Sequence, residues 1–136
     1  MLQIESIHHV SLPVSDLERA KRFYGDVLEL SEIPRPPFKF PGAWYRLGDR
    51  QLHLIVGEHP TFRASVKADS HDIHFAIRVG SYRRAIAHLA AKGYRPDAAD
   101  ALLTTKENPT GTAGFPQVYV LDPDRNVIEI NAAQLD

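Results

Sequence analysis

The chain is predicted to be an α+β protein made of two tandem βαβββ modules. Three observations carry that prediction. First, a short motif recurs: His9-Val10-Ser11-Leu12-Pro13-Val14 matches His74-Phe75-Ala76-Ile77-Arg78-Val79 in spacing. Second, each copy leads directly into a capped amphipathic helix. Third, each half closes on a hairpin whose last strand carries a metal-ligand type of residue, His53 or Glu129. This order is neither steady βα alternation nor separate blocks of strands and helices.

Size and composition agree with one compact domain spanning residues 1–136. The first module is expected at about residues 5–57 and the second at about 71–132. A hydrophobic fraction of 43% allows a sizeable core. Sixteen basic and seventeen acidic residues leave a formal charge of −1, which asks for neither nucleic acid nor an anionic membrane as partner. No apolar run reaches the roughly 20 residues needed to span a bilayer, and the N-terminus lacks the pattern of a signal peptide. A cytosolic protein is expected. With no cysteine in the chain, thiolate zinc sites, disulfides and cysteine nucleophiles are excluded. Any metal must be held by imidazole and carboxylate.

In order along the chain, residues 7–14 read as a β-rich first strand, with Pro13 pointing to an edge or a bulge. Ser15 and Glu18 stand at capping-box spacing. A helix is predicted from there to about Leu28, with Leu17, Ala20, Phe23, Tyr24, Val27 and Leu28 on one face. Residues 29–35 read as a second strand. Pro34, Pro36, Pro37 and Pro41, interleaved with Phe38 and Phe40, make a stiff loop that cannot be a central strand. Residues 43–47 and 51–56 read as a hairpin turning at Gly48-Asp49. Residues 57–70 read as a loop.

The second half repeats this order. Residues 72–79 are a strand. Ser81 caps a helix with Tyr82, Ala85, Ile86 and Leu89 on one face, and Gly93 ends it. Residues 94–98 read as a short strand and 103–114 as a loop. Residues 117–121 and 127–131 form the last hairpin around Asp122-Pro123-Asp124-Arg125-Asn126.

Alternate strand residues face opposite ways, so His53 points away from Leu52 and Leu54, and Glu129 away from Ile128 and Ile130. A carboxylate among aliphatic neighbours costs several kcal/mol unless it is paired or metal-bound. One histidine or glutamate on a strand is ordinarily just a hydrogen-bonded residue. Four at equivalent positions of a repeat are the candidate ligands of a divalent metal: His9, His53, His74 and Glu129. His9 rather than His8 is chosen because it aligns with His74; His8 is expected on the opposite face. His59, His71 and His88 are read as ordinary surface or helix residues. Three imidazoles and one carboxylate suit Zn, Ni, Co, Mn or Fe(II) and suit Ca or Mg poorly. Two positions of a six-coordinate ion would remain for vicinal oxygens of a substrate. Arg78 shares strand parity with His74 and is a candidate for binding an anionic group. Arg46, Trp44 or Tyr45, and Gln117 or Tyr119, could line the pocket. Phe38, Phe40 and Trp44 read either as a lid or as core aromatics.

At this point a family resemblance can be stated. Val14-Ser15-Asp16-Leu17-Glu18-Arg19-Ala20 with Phe23-Tyr24, and Asp122-Pro123-Asp124-Arg125-Asn126-Val127-Ile128-Glu129, resemble the opening and closing segments of the vicinal oxygen chelate superfamily. The family contains glyoxalase I, methylmalonyl-CoA epimerase, fosfomycin-resistance transferases, extradiol dioxygenases and metal-free bleomycin-binding proteins. The resemblance implies a U-shaped sheet around a metal whose ligands come from the four positions above. It implies a lyase or isomerase of the glyoxalase type, acting on a small substrate, with Glu129 moving the proton. Residues 38–45 and 51–54 look most like an uncharacterised glyoxalase-like branch. Histidine at 53 departs from the glutamate usual in glyoxalase I, and Arg125 replaces a common glycine in a turn read as exposed. A small Fe or Mn dioxygenase, a thiol transferase, or a non-catalytic resistance-type binder of small molecules are the alternatives. Open sheet edges predict a homodimer. Substrate, metal identity and the use of glutathione or another thiol lie beyond the sequence.

Overall fold

The computed structural model describes residues 1–57 and 63–136, so part of the loop read at 57–70, with His59, lies outside the described residues. The chain divides into two compact units, residues 1–61 and 62–136. Each is built on a four-stranded mixed sheet, giving the α+β class expected.

The first unit contains β1 (His9–Val14), α1 (Leu17–Lys21), β2 (Glu32–Ile33), β3 (Gly42–Leu47) and β4 (Arg50–Val56), in sheet order β1-β4-β3-β2. β1 runs parallel to β4, while β3 is antiparallel to both β4 and β2. Asp16, not Ser15, caps α1: its side chain accepts from the Arg19 amide at 2.8 Å. Ser15 instead accepts from the Arg19 guanidinium at 3.1 Å. The predicted single helix changes character after Lys21. Residues Arg22–Val27 are π-helical, and the Leu28 amide reaches back to the Phe23 carbonyl. Ala20, Phe23 and Tyr24 are nonetheless buried, as the helical spacing requires. Tyr24 lies 6.3 Å from Tyr45 between ring centroids, which sets this helix on the face of the sheet formed by Leu52, Leu54, Ala43 and Tyr45. The second strand is two residues long rather than the seven expected, because Pro34, Pro36 and Pro37 cannot continue a ladder. At Gly42 any side chain would collide with the Leu54 carbonyl, so only glycine lets β3 lie this close.

The second unit contains β5 (His74–Val79), α2 (Tyr82–Ala91), β6 (Lys106–Asn108), β7 (Gln117–Leu121) and β8 (Val127–Ala132), in sheet order β5-β8-β7-β6. Ser81 caps α2 as predicted, accepting from the Arg84 amide at 3.1 Å. Gly93, at φ 91°, follows the last turn. Tyr82 donates its hydroxyl to the Gln117 carbonyl at 3.0 Å and so ties α2 to β7. The sheet face opposite the site carries Val118, Val120, Ile128 and Ile130, all buried.

The short strand expected at 94–98 is not one. Arg95 makes an isolated bridge to Thr104, and the equivalent strand is β6, inside the stretch read as a loop. Between them Ala101–Leu103 forms a 3-10 turn capped by Asp100. Arg125, at φ 69°, is half-buried rather than exposed, and its guanidinium donates to the Ala64 carbonyl at 3.0 Å. No helix among the described residues is long and apolar enough to cross a membrane.

Candidate metal-ligand pairs

Strand register decides which side chains share a face. In the first unit His9 pairs with Gln51, Ser11 with His53, and Trp44 with His53. Paired residues point the same way, so His9, Trp44, Arg46, Gln51 and His53 all lie opposite the helix. In the second unit His74 pairs with Val127, Ala76 with Glu129, Tyr119 with Glu129, and Arg78 with Asn131. His74, Arg78, Gln117, Tyr119, Glu129 and Asn131 therefore share one face. The two halves are superposable in register. The edge-strand histidine stands one step, or two residues, before the partner of the inner-strand ligand in both.

The first pair is a stack of rings. His53 lies flat on Trp44, with centroids 3.9 Å apart and planes 4° from parallel. On its other side His9 stacks at 4.1 Å and 18°. A His53 ring nitrogen is 2.8 Å from the Gln51 amide oxygen, so that Nε2 carries the proton and Nδ1 keeps its lone pair. Burial, then the neighbouring His9, His8 and Arg35, lower the His53 pKa, which leaves it a neutral donor at pH 7. His8 is not turned away as expected. It precedes the strand, where alternation does not apply, and its Nδ1 lies 2.8 Å from that of His9. Farther along, Phe38 and Phe40 stack at 5.2 Å, and the Arg35 guanidinium lies over both, 4.7 and 5.0 Å from their centroids. Both phenylalanines are exposed, and Phe38 lies 6.1 Å from Trp44. Arg46 is exposed on the same face as Trp44.

The second pair is polar. His74 Nδ1 is 2.7 Å from the Asp72 carbonyl, which can only accept, so Nδ1 bears the proton. His74 Nε2 stands 3.1 Å from Glu129 Oε2. The other carboxylate oxygen, Oε1, accepts from Gln117 at 3.1 Å and from Asn131 at 2.7 Å. Tyr119 also hydrogen-bonds Glu129 and meets the His74 ring edge-on at 5.4 Å. Burial alone would raise the Glu129 pKa. The bonds from Asn131, Gln117 and Tyr119, with His74 beside it, outweigh burial and lower it, so the carboxylate is ionised at neutral pH. Tyr119 is pushed up to about 12 by burial and by that carboxylate.

The structure thus joins His9 to His53 and His74 to Glu129, one pair in each unit. Among the described residues no group of three or more histidine, aspartate or glutamate side chains is placed to hold a metal. The chemistry of the second pair nonetheless fits a cation. His74, with Nδ1 held on a carbonyl, turns Nε2 to a carboxylate oxygen across 3.1 Å. A positive charge belongs there, either a proton or a metal ion. A ligand histidine with its other nitrogen fixed on a carbonyl is the usual arrangement around bound metals. Gln117 and Asn131, which hold Glu129, were legible only through parity with Tyr119 and Glu129. Nothing in the sequence marked Asp72 as the carbonyl under His74.

Comparison with known proteins settles the family. The Glyoxalase/Bleomycin resistance protein/Dioxygenase superfamily model matches residues 6–130. The chain belongs to that superfamily. Among solved structures it is similar to a Bacillus anthracis protein described as of the glyoxalase family, at TM-score 0.77 and 24% identity, covering 97% of this chain and 98% of that one. The fosfomycin resistance protein FosX from Listeria monocytogenes gives TM-score 0.69 at 18% identity, covering 98% and 97%. Lactoylglutathione lyase from Agrobacterium tumefaciens gives 0.67 at 19%, covering 95% and 94%. At these identities the likeness is one of fold. No curated protein matches in sequence.

Proposed function

We propose that this superfamily member is a metal-dependent lyase or isomerase of the glyoxalase type, acting on a small substrate with vicinal oxygens as a homodimer in the cytosol. The supporting observation is the 3.1 Å approach of His74 Nε2 to Glu129 Oε2, with every other polar atom of the pair already engaged. His9, His53, His74 and Glu129 are the candidate ligands of a divalent ion. That ion, of the Zn, Ni, Co, Mn or Fe(II) type, would supply a Lewis acid for the substrate's oxygens.

The remaining chemistry belongs to the chain. Gln117 and Asn131 fix Glu129 through Oε1, Tyr119 hydrogen-bonds the same carboxylate, and Oε2, facing His74, would accept or return a proton. His53 is held in orientation by its stack and its lowered pKa keeps its lone pair free, and with that lone pair on the ion it would not serve as a base. Trp44 beside it offers a flat apolar wall to the substrate, and Arg46 a charge at the rim. β1, β2, β5 and β6 are sheet edges, and the pairing of sheets in a dimer would cover them.

Metal analysis of protein purified without added metal tests the reading. Stoichiometric divalent metal is expected, lost in His9→Ala and Glu129→Ala. A wild-type protein that no added divalent ion fills would end it. Unchanged affinity of both variants for a small-molecule ligand would instead favour a metal-free binding protein.

A further inference from the structure

Arg78 and Asn131 are register partners on β5 and β8, on the face that carries Glu129. Asn131 is 5% exposed, and its amide nitrogen is committed to Glu129 Oε1 at 2.7 Å. That commitment fixes the amide orientation and turns Oδ1 elsewhere, where it has no hydrogen-bond partner. Gln117, the other amide on Glu129, shows the contrast: its oxygen accepts from Asn108 at 3.3 Å. A buried acceptor without a donor is rare in folded proteins and marks a place where a donor is missing. Beside it, the exposed Arg78 has no carboxylate partner among the described residues. Its guanidinium lies 4.9 Å over the Phe115 ring. Stacking on that ring leaves the edge of the guanidinium, with its N–H fork, open to a planar or tetrahedral oxyanion.

We propose that Arg78 and Asn131 form a recognition subsite for a small oxyanion, a carboxylate or phosphonate, that carries a hydroxyl next to the acid group. The guanidinium takes the anion, and the Asn131 oxygen accepts a hydrogen bond from the hydroxyl. The two residues are register partners on neighbouring strands, so the anion and the hydroxyl belong to adjacent groups of one small ligand. Glu129 lies two residues before Asn131 on the same face of the strand. The inference deepens the glyoxalase-type reading and rests on it for the reacting group, but the anion contact needs no metal.

The test is therefore titration calorimetry on metal-free protein, with glycolate, hydroxymethylphosphonate, acetate and glycolamide as probes. Glycolate or hydroxymethylphosphonate is expected to bind in about the millimolar range, and the tighter of the two names the acid group. Acetate, which lacks the hydroxyl, and glycolamide, which lacks the charge, should each bind about tenfold more weakly. Arg78→Gln should erase the preference for glycolate over glycolamide while keeping the preference for glycolate over acetate. Arg78→Lys should restore part of the charge preference, which also shows that the variant folds. Equal binding of glycolate and glycolamide, an unchanged affinity in Arg78→Gln, or no saturable binding of either oxyanion would overturn the subsite. Equal binding of glycolate and acetate would overturn the role of Asn131. A metal-binding failure leaves these outcomes intact, so the two readings fail separately.

Discussion

His74 and Glu129, 55 residues apart in the chain, face each other at 3.1 Å, and the other ring nitrogen of His74 is held on the Asp72 carbonyl. Gln117 and Asn131 both donate to Oε1, and Oε2 faces that imidazole.

The first consequence concerns Gln117. Its amide donates to Glu129 Oε1 and is not itself a proposed ligand. Gln117→Leu should weaken divalent-metal affinity by about tenfold to a hundredfold. Chelator competition measures it; an unchanged affinity would show that Gln117 does not orient Glu129.

Trp44 is the chain's single tryptophan and lies flat against His53. Its fluorescence should change when a divalent ion binds wild-type protein. In His53→Leu the same addition should give no change. A signal that persists in the variant would remove His53 from the ligand set.

Asp122 is fully buried in the turn before β8. Its Oδ1 accepts from the Asp124 and Asn126 amides and its Oδ2 from the Asn126 side chain, each at 2.8 Å. Asp122→Ala strands those donors and should cost about 2–4 kcal/mol in urea unfolding. A loss under about 0.5 kcal/mol would mean that water replaces the carboxylate.

Arg125 takes a left-handed conformation at φ 69° yet holds the carbonyls of Arg63 and Ala64. Arg125→Gly removes about 1 kcal/mol of backbone strain and also those bonds. Stability should stay within about 1 kcal/mol of wild type, while proteolytic cleavage near residue 64 should accelerate. Equal cleavage rates would show that the guanidinium does not anchor this segment.

Tyr45 and Tyr94 are both pushed up to about 12, chiefly by burial, from an ordinary 10.0. Between those values the folded state holds protons that the unfolded chain has released. Stability must therefore fall as pH rises from 10 towards 12. Tyr94→Phe should flatten that fall, as read from urea midpoints across the range; an identical slope would show that Tyr94 ionises freely in the folded state.

Much of this was legible in the sequence because periodicity and repetition report directly on faces. His9 and His74 align, and parity alone set His53 and Glu129 opposite their aliphatic neighbours. β7, α2 and the Ser81 cap follow from the same signals. β6 was missed because Lys106, Glu107 and Asn108 carry no apolar alternation and pair only through their backbone. The π-helical turn at residues 22–27 leaves the hydrophobic spacing almost unchanged, so nothing announced it. Asp16 displaced Ser15 as cap because both are good caps at adjacent positions, and a one-residue shift of the helix start decides between them. The unsatisfied oxygen of Asn131 is a property of three-dimensional partners and has no sequence signature.

His53, clamped between the rings of Trp44 and His9, cannot swing its imidazole without leaving both. Its rotational freedom is thus surrendered when the chain folds, not when a ligand arrives. An encounter at this half of the protein meets a donor already aimed, while the more exposed edge at His74 keeps whatever adjustment the approach of a guest demands.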